Sequence, residues 1–142
     1  MTTEQPKKTV APRTLARQRA LQALYQWHIG KQDLALIEGQ FFREEDMKGV
    51  DRKYFRKLLL NVPKNISSLD EKIAPFLDRE IQQLDPIEHT ILRMGLYELT
   101  YHDDIPWRVT INESVELAKL FGADQSHKYV NGILDKLQKQ MD

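Results

Sequence analysis

The sequence predicts an all-α protein with about seven helices joined by short loops. Apolar residues recur at spacings of three and four along most of the 142-residue chain, which is long enough for one domain with a core. Helix-capping residues and glycines separate these segments. The only strand candidate, residues 108–111, is very short and does not suggest a sheet.

The first half of the chain predicts a terminal arm followed by three helices. Residues 1–12 are polar, contain two prolines and should form a flexible basic arm. A helix should follow over residues 13–29, because its apolar residues keep helical spacing until Gly30 ends the pattern. Asp33 and Asp51 are placed to cap the second and third helices.

Pro63 should break or kink the third helix, because proline lacks an amide donor and clashes with the preceding turn. A fourth helical pattern follows over residues 66–77. Asp85 followed by Pro86 marks the start of a fifth helix, since proline suits the first helical position. That helix is apolar around much of its circumference, so we expect it to be the central and most buried one.

The last third of the chain predicts two more helices separated by Gly122. Residues 110–113 fit a capping box, in which threonine and glutamate side chains would satisfy free helix amides. Gly122 is placed for a left-handed cap at the end of the sixth helix. The seventh helix should extend from Asp124 to about Lys139.

The charges are unevenly distributed, although the net charge is zero. Residues 1–31 carry six cations against one acid, a net of +5, and residues 63–105 carry nine acids against four cations, a net of −5. The basic arm and first helix favour one localised anionic partner, and the acidic segment suits a basic partner. A chance scatter of surface charges is the alternative.

Motifs of the common enzyme classes are absent from the sequence. It has no phosphate-binding glycine loop, no Gly-x-Ser-x-Gly and no His-Glu-x-x-His among its four histidines. Glu113 and Glu116 could form a carboxylate pair, but a capping and a solvated glutamate explain them better. We therefore predict that the chain is not an enzyme and needs no metal or cofactor.

The absence of cysteine excludes disulfides and thiolate chemistry and fits a reducing compartment. No segment is long and apolar enough to span a membrane, and no signal-peptide pattern opens the chain. We therefore expect a cytoplasmic protein that does not bind membranes.

The start of the first helix has the composition of a phosphate-binding surface. Arg13 and Arg17 are one helical turn apart and could share one strip of surface, with Lys7 and Lys8 upstream. Tyr25 lies two turns beyond Arg17 and could add a stacking surface. Alternatively, Tyr25 is a residue at the edge of the core.

The start of the seventh helix is the second candidate binding surface. Gln125, Ser126, Lys128 and Tyr129 cluster where free amides and the helix dipole favour an anion. The Gln125 amide can both donate to and accept from a base edge, and Tyr129 can stack on a base for about 1–3 kcal/mol. Together these residues predict binding of single-stranded nucleic acid, although a tyrosine at helical spacing often serves packing alone.

Five segments of the chain have a recognisable order and spacing: RQRALQALYQW at 17–27, YFRKLL at 54–59, ILRMGLYEL at 91–99, INESVELAKLFG at 111–122 and SHKYVNGILDK at 126–136. In these segments the chain resembles the NusB family of bacterial transcription antitermination factors. The similarity covers roughly residues 13–137 in family order and spacing.

The resemblance implies an all-helical domain over residues 13–142, with a three-helix subdomain at about 13–62 and a C-terminal helical subdomain at about 63–142. It implies binding of the boxA element of ribosomal RNA transcripts together with NusE, a small-subunit ribosomal protein. It further implies assembly with NusA, NusG and RNA polymerase, a role in ribosomal RNA maturation, and no catalysis.

The resemblance also assigns functional positions. Glu88 falls at a position that serves the NusE face. Compared with the family, the arginine run is interrupted by Thr14 and Leu15, Gln125 replaces a common acidic residue, and Tyr129 replaces a frequent phenylalanine. The RNA surface would use Arg13, Arg17, Tyr25, Phe76, Gln125, Lys128 and Tyr129.

Two alternative functions remain open at this point. The first is a helical protein-interaction module that binds no nucleic acid. The second is the NusB-like domain that precedes a ribosomal RNA cytosine methyltransferase, although this chain has no catalytic cysteine and no Rossmann-type segment and so cannot perform that reaction alone. A separate hypothesis is self-association into a homodimer that covers the basic helix and regulates RNA access.

Overall fold

The computed structural model describes residues 9–44 and 46–141, and within them all regular structure is helical. The predicted all-α class is therefore confirmed, and residues 108–111 lie in a helix and not in a strand. Two 3₁₀ turns, Ala74–Phe76 and Ile81–Gln83, lie between the fourth and fifth α-helices. The α-helices are α1 Pro12–Gly30, α2 Leu34–Glu44, α3 Arg52–Lys64, α4 Ile66–Ile73, α5 Pro86–Tyr101, α6 Trp107–Phe121 and α7 Ser126–Lys139.

In the first five helices, the structure confirms the helix caps predicted at Asp51 and Asp85 and the helix break predicted at Pro63. The Asp51 carboxylate accepts a hydrogen bond from the Tyr54 amide at 3.0 Å, which begins α3. Asp85 accepts hydrogen bonds from two amides at the start of α5. The break occurs directly after Pro63, because α3 ends at the next residue and α4 begins two residues later.

Helix α5 is the centre of the molecule, as its apolar sequence predicts. Residues 88–98 are all buried, and α5 packs against α1, α3, α4, α6 and α7. Helix α1 packs against α2, α3 and α5, so it contacts both halves of the chain. The division into subdomains near residues 62 and 63 remains a prediction. Among the helices of the described segments, none combines the length and apolarity needed to cross a membrane.

Gly95 allows the helices of the C-terminal half to approach α5 closely. A Cβ atom at this position would lie 2.9 Å from Leu134 Cδ1 and 3.0 Å from Ser114 Oγ. Those contacts are shorter than packed side chains allow, so a larger residue would push α6 and α7 away from α5.

The predicted capping box at residues 110–113 is wrong. Helix α6 begins one turn earlier, at Trp107, with Pro106 as its N-cap residue. Proline is compatible with a helix start because the amide hydrogen it lacks would have no partner within the helix. Thr110 therefore lies inside the helix, and its buried hydroxyl donates a hydrogen bond to Glu98 at 2.9 Å. Glu113 faces α1 instead of the amides of its own helix.

The predicted left-handed cap at Gly122 is also wrong, since its φ of −89° and ψ of 176° describe extended backbone. Glycine suits this site because space is short. A Cβ atom would lie 2.7 Å from the Ala118 carbonyl oxygen and 2.9 Å from Ser126 Cβ. The left-handed residue of this loop is Gln125, with a φ of 73°, immediately before α7.

Candidate nucleic-acid interface

Arg17 is buried and is not part of an exposed strip with Arg13, so that sequence prediction is wrong. Its residue surface is only 5% exposed, and its Nε donates to Glu98 Oε1 at 2.6 Å. Burial alone would lower the pKa of Arg17, but the hydrogen bond and the negative charge of Glu98 raise it. The physical reason for the burial is that Arg17, with Ala20 and Leu24, lies on the inward face of α1.

The Glu98 carboxylate joins four helices. Besides the bond from Arg17, it accepts hydrogen bonds from the hydroxyl groups of Tyr54 on α3 and Thr110 on α6. Burial, followed by the charge of Glu98, raises the pKa of the Tyr54 hydroxyl, which therefore remains a donor. Glu113 lies 3.6 Å from the second side of the Arg17 guanidinium group. This network fixes the first turns of α1 relative to α3, α5 and α6.

Arg13, one turn earlier on α1, is exposed as predicted. Its side chain is 45% exposed, and its nitrogens lie 3.8 Å from carboxylate oxygens of both Asp51 and Asp104. Its Cζ lies 4.6 Å from the centre of the Tyr54 ring. These contacts hold the guanidinium group in place but leave it accessible to a phosphate. Lys7 and Lys8 lie outside the described residues.

The structure brings Gln125, Lys128 and Tyr129 together at the start of α7, where Gln125 and Lys128 are exposed. The Tyr129 hydroxyl donates to Asp78 Oδ1 at 3.0 Å, and Arg79 Cζ lies 5.2 Å from the centre of its ring. The tyrosine is thus held at its polar end, and one face of its ring is covered by a cation.

Asp78, Arg79 and the start of α7 form one corner of the molecule, and Arg79 is the residue of this corner that the sequence prediction missed. It lies in the acidic segment about 50 residues before Tyr129, and nothing local in the sequence links the two. Hydrogen bonds from Arg79 and Tyr129 hold the pKa of the exposed Asp78 carboxyl at about 2, so that group stays ionised. The only sequence signal was one isolated arginine among acidic residues.

Glu88, the predicted contact for a protein partner, lies beside the same corner. Its residue surface is 8% exposed, and burial followed by the nearby Asp85 charge raises the pKa of its carboxyl. The Ser126 hydroxyl and the charge of Arg79 oppose that shift. Helices α5 and α7 pack against each other, so the start of α5 lies beside the start of α7, and Glu88 is only marginally accessible.

A groove between α1 and α6 lies between the two predicted RNA-binding regions, although Arg13, Lys128 and Tyr129 are not among its lining residues. Arg13 lies near Asp104 before α6, whereas Gln125 follows the end of α6, so the length of this 15-residue helix separates them by roughly 20 Å. Lys119 of the groove also lines the depression that contains Gln125. The groove encloses about 500 Å³, and two carboxylates and one cation are among its lining residues, which are Val10, Thr14, Gln18, Asn112, Glu113, Glu116, Lys119 and Leu120.

Tyr25 and Phe76 are not part of this groove. Tyr25 is 37% exposed and lies further along α1, beside Gln22 and Ile29. Phe76 is half-buried and lines a different depression with Leu137, two turns beyond Tyr129 on α7. Their assignment to an RNA surface remains a prediction that this geometry does not favour.

A second polar cluster connects α1, α4 and α5 away from the groove. Arg93 donates two hydrogen bonds to the Asp70 carboxylate, at 2.8 and 2.7 Å, and His89 Nε2 lies 2.8 Å from the same group. Arg93 also contacts His28 Nδ1 at 3.1 Å. Within residues 9–44 and 46–141, no three carboxylate or histidine side chains come together as metal ligands. The cluster is therefore an ion-pair network between helices.

The NusB family matches residues 14–139 of the chain. The transcription antitermination protein NusB of Actinobacillus succinogenes is 54% identical over 131 residues, which cover 92% of each chain. Its counterpart in Pasteurella multocida is 49% identical over 137 residues, which cover 96% of this chain and 95% of that one.

Solved structures agree with these matches. The structure of T. maritima NusB has a TM-score of 0.78 and 31% identity, over 93% of this chain and 94% of that one. A chain in the crystal structure of antitermination factors NusB and NusE in complex with dsRNA has a TM-score of 0.81 and 26% identity, over 89% and 96%. The family confirms the prediction that the chain is not an enzyme. On these grounds, the chain belongs to the NusB family.

Proposed function

We propose that this protein is a transcription antitermination factor that binds boxA RNA of ribosomal RNA transcripts together with NusE. In this proposal it acts in the cytoplasm, within a complex that includes NusA, NusG and RNA polymerase, and supports ribosomal RNA transcription and maturation. The related structure of NusB and NusE in complex with dsRNA supports NusE and RNA as the proposed partners.

The observation that carries the RNA proposal is the groove between α1 and α6. Arg13 is exposed beyond one end of the groove, next to Thr14 of its lining, and Gln125, Lys128 and Tyr129 lie beyond the other end. A strand of several nucleotides could lie along it, with cations contacting phosphates at both ends. Lys7 and Lys8 would add phosphate contacts beyond Arg13.

Each residue at the α7 end has a distinct proposed role. Lys128 would contact a phosphate, Gln125 would contact a base edge, and Tyr129 would stack on a base. The bond between Tyr129 and Asp78 supports this, because it fixes the ring before RNA arrives. Arg17 would act by positioning α1 and not by contacting RNA, since Glu98 already occupies its guanidinium group.

The NusE contact is proposed to include the start of α5 near Glu88. This region belongs to the acidic segment of residues 63–105, which suits a basic ribosomal protein. Because Glu88 and Tyr129 border the same corner through Ser126 and Arg79, bound NusE would lie next to the RNA. Proximity of this kind would allow the partner to extend the RNA-binding surface.

Fluorescence anisotropy tests the proposal. A boxA-like single strand, a scrambled strand and a double-stranded form of the boxA sequence would be titrated with the protein, with and without NusE, at two salt concentrations. We expect the boxA single strand to bind most tightly and NusE to strengthen that binding. Equal, weak binding of both single strands in the presence of NusE would contradict the RNA proposal and favour a protein-interaction module.

A further inference from the structure

The outward face of α3 is a basic surface separate from the groove. Helix α3 contains five cationic residues and no acidic residue, and all five cations are exposed. Arg52 and Lys64, the first and last of them, are about 18 Å apart along the helix axis. The set, here called the α3 basic face, comprises Arg52, Lys53, Arg56, Lys57 and Lys64.

The sequence totals conceal this surface, because residues 32–62 contain six acids and six bases. In the structure, three of these acids are engaged in helix caps or an ion pair. Asp33 and Asp51 are occupied as helix caps, and Glu38 pairs with Arg56 at 3.2 Å. Among the described residues, no carboxylate lies within ion-pair distance of the other four cations of the α3 basic face.

A groove between α2 and α3 borders the α3 basic face. It encloses about 560 Å³, and the exposed Leu60 forms part of its floor. Arg52 lies over the Phe42 ring with its Cζ 5.6 Å from the ring centre, which restrains the guanidinium group without neutralising it. A row of exposed cations beside a groove matches the repeated phosphates of a nucleic-acid backbone.

The α3 basic face adjoins the proposed RNA-binding groove at the start of α1. The Asp51 amide, just before α3, donates to the Pro12 carbonyl oxygen at 3.1 Å. Arg13 reaches the carboxylate of the same Asp51 at 3.8 Å. RNA that leaves the groove at Arg13 would therefore meet Arg52 and Lys53 next.

We infer that the α3 basic face binds the phosphate backbone of RNA that flanks the segment held between α1 and α6. The contacts would be mainly to phosphates and so largely independent of base sequence, because four of the seven residues that line the groove are lysines or arginines. This inference rests on the proposed function for the position of the RNA, but it makes a separate prediction about RNA length.

The test compares two RNAs that share one boxA-like segment, one of them extended by unrelated flanking nucleotides on both sides. The variant K53Q/K57Q removes two cations of the α3 basic face and leaves the Arg56–Glu38 pair intact. The control K136Q/K139Q removes two exposed lysines from α7. Both variants should fold normally, since substitutions of exposed side chains usually change stability little, and urea unfolding would verify this.

For the extended RNA, K53Q/K57Q should weaken binding and flatten the slope of log K against log salt by about 1.4, or about 0.7 for each lost phosphate contact. Binding of the short RNA and the behaviour of K136Q/K139Q should not change. The charge-preserving variant K53R/K57R should retain full binding of the extended RNA.

The two proposals fail in different ways. If the wild type fails to prefer boxA over scrambled sequence but K53Q/K57Q still loses extended RNA, the α3 face is supported and the boxA assignment is contradicted. If the short RNA binds selectively and K53Q/K57Q holds the extended RNA as tightly as the wild type, with the same salt slope, the α3 inference is overturned. Absence of any binding to the extended RNA would overturn both.

Discussion

Arg17 and Glu98, which are 81 residues apart in sequence, form a buried ion pair between α1 and α5, with Arg17 Nε 2.6 Å from Glu98 Oε1. Both side chains are almost completely shielded from solvent. Arg17, which the sequence suggested as an RNA contact, therefore links α1 to α5 inside the protein. This link holds in place the helix that bears Arg13.

Replacing Arg17 should therefore affect stability more than replacing Arg13. Arg17→Ala leaves the Glu98 charge buried without its cation and should lower the free energy of unfolding by about 3–5 kcal/mol. Arg13→Ala, at an exposed site with two 3.8 Å ion pairs, should cost under about 1 kcal/mol. Urea unfolding followed by circular dichroism would measure both values.

A double-mutant cycle would identify the source of the Arg17 effect. If the ion pair is responsible, Arg17→Ala and Glu98→Ala should be strongly coupled, and the double variant should be less destabilised than the sum of the single ones. Additive effects would contradict the pair. Folded Arg17→Ala protein should retain most of its RNA affinity, whereas Arg13→Ala should lose affinity without unfolding.

Gly95 and Gly132 should respond in opposite ways to alanine. A Cβ at Gly95 would press on Leu134 and Ser114, so Gly95→Ala should destabilise the protein by about 1–3 kcal/mol. Nothing lies within 4 Å of a Cβ at Gly132, inside α7, so Gly132→Ala should stabilise it by about 0.5–1 kcal/mol. Thermal unfolding would compare them, and destabilisation by both would contradict the packing argument.

The Asp70 cluster should make stability depend on acid pH. Burial alone would raise the pKa of the Asp70 carboxyl, but hydrogen bonds from Arg93 and His89 lower it from 3.8 to about 2. The pKa is therefore lower in the folded state, and the stabilisation is present above about pH 4 and lost as pH falls towards 2. Urea unfolding between pH 7 and pH 2 would measure this dependence.

The variant Asp70→Asn should reduce stability at neutral pH and lose part of the acid dependence seen in the wild type. Glu71→Gln, on the exposed side of the same helix, is the control and should behave like the wild type. If Asp70→Asn has the same pH profile as the wild type, the lowered pKa does not contribute to folding.

Tyr129 and Lys128 should affect RNA binding through different forces. Tyr129→Leu removes the ring and should cost about 1–3 kcal/mol of RNA affinity, whereas Tyr129→Phe keeps the ring and should cost less. Lys128→Gln should flatten the salt dependence by about 0.7 log units per log of salt. Anisotropy at several salt concentrations separates the two effects, and a larger loss for Tyr129→Phe than for Tyr129→Leu would argue against stacking.

Local sequence features predicted most of the fold. Asp51 and Asp85 cap the predicted helices, and α3 stops after Pro63, because these signals act within one turn of backbone. The capping box at residues 110–113 failed because Pro106 starts α6 a turn earlier and Glu98, a distant residue, recruits the Thr110 hydroxyl. Here a contact with a residue distant in sequence overrode the local capping pattern.

The candidate site was predicted in part. The exposed positions of Arg13, Gln125 and Lys128 agree with the sequence reasoning, because charged and amide side chains at helix ends are usually solvated. The contact between Arg79 and Tyr129 could not be read from residues that are 50 positions apart. The α3 basic face was concealed by a balanced count of charges, since a count does not indicate which side of a helix each charge occupies.

By itself, the sequence determined the helical class, the order of the helices and the resemblance to one family, because periodicity, caps and motif order are properties of the linear chain. Only the tertiary structure decided that Arg17 is inside the protein and Arg13 outside. The physical reason is that burial of a charged side chain depends on a partner that can neutralise it. For Arg17 that partner is Glu98 on the central helix, which comes into contact only when the chain has folded.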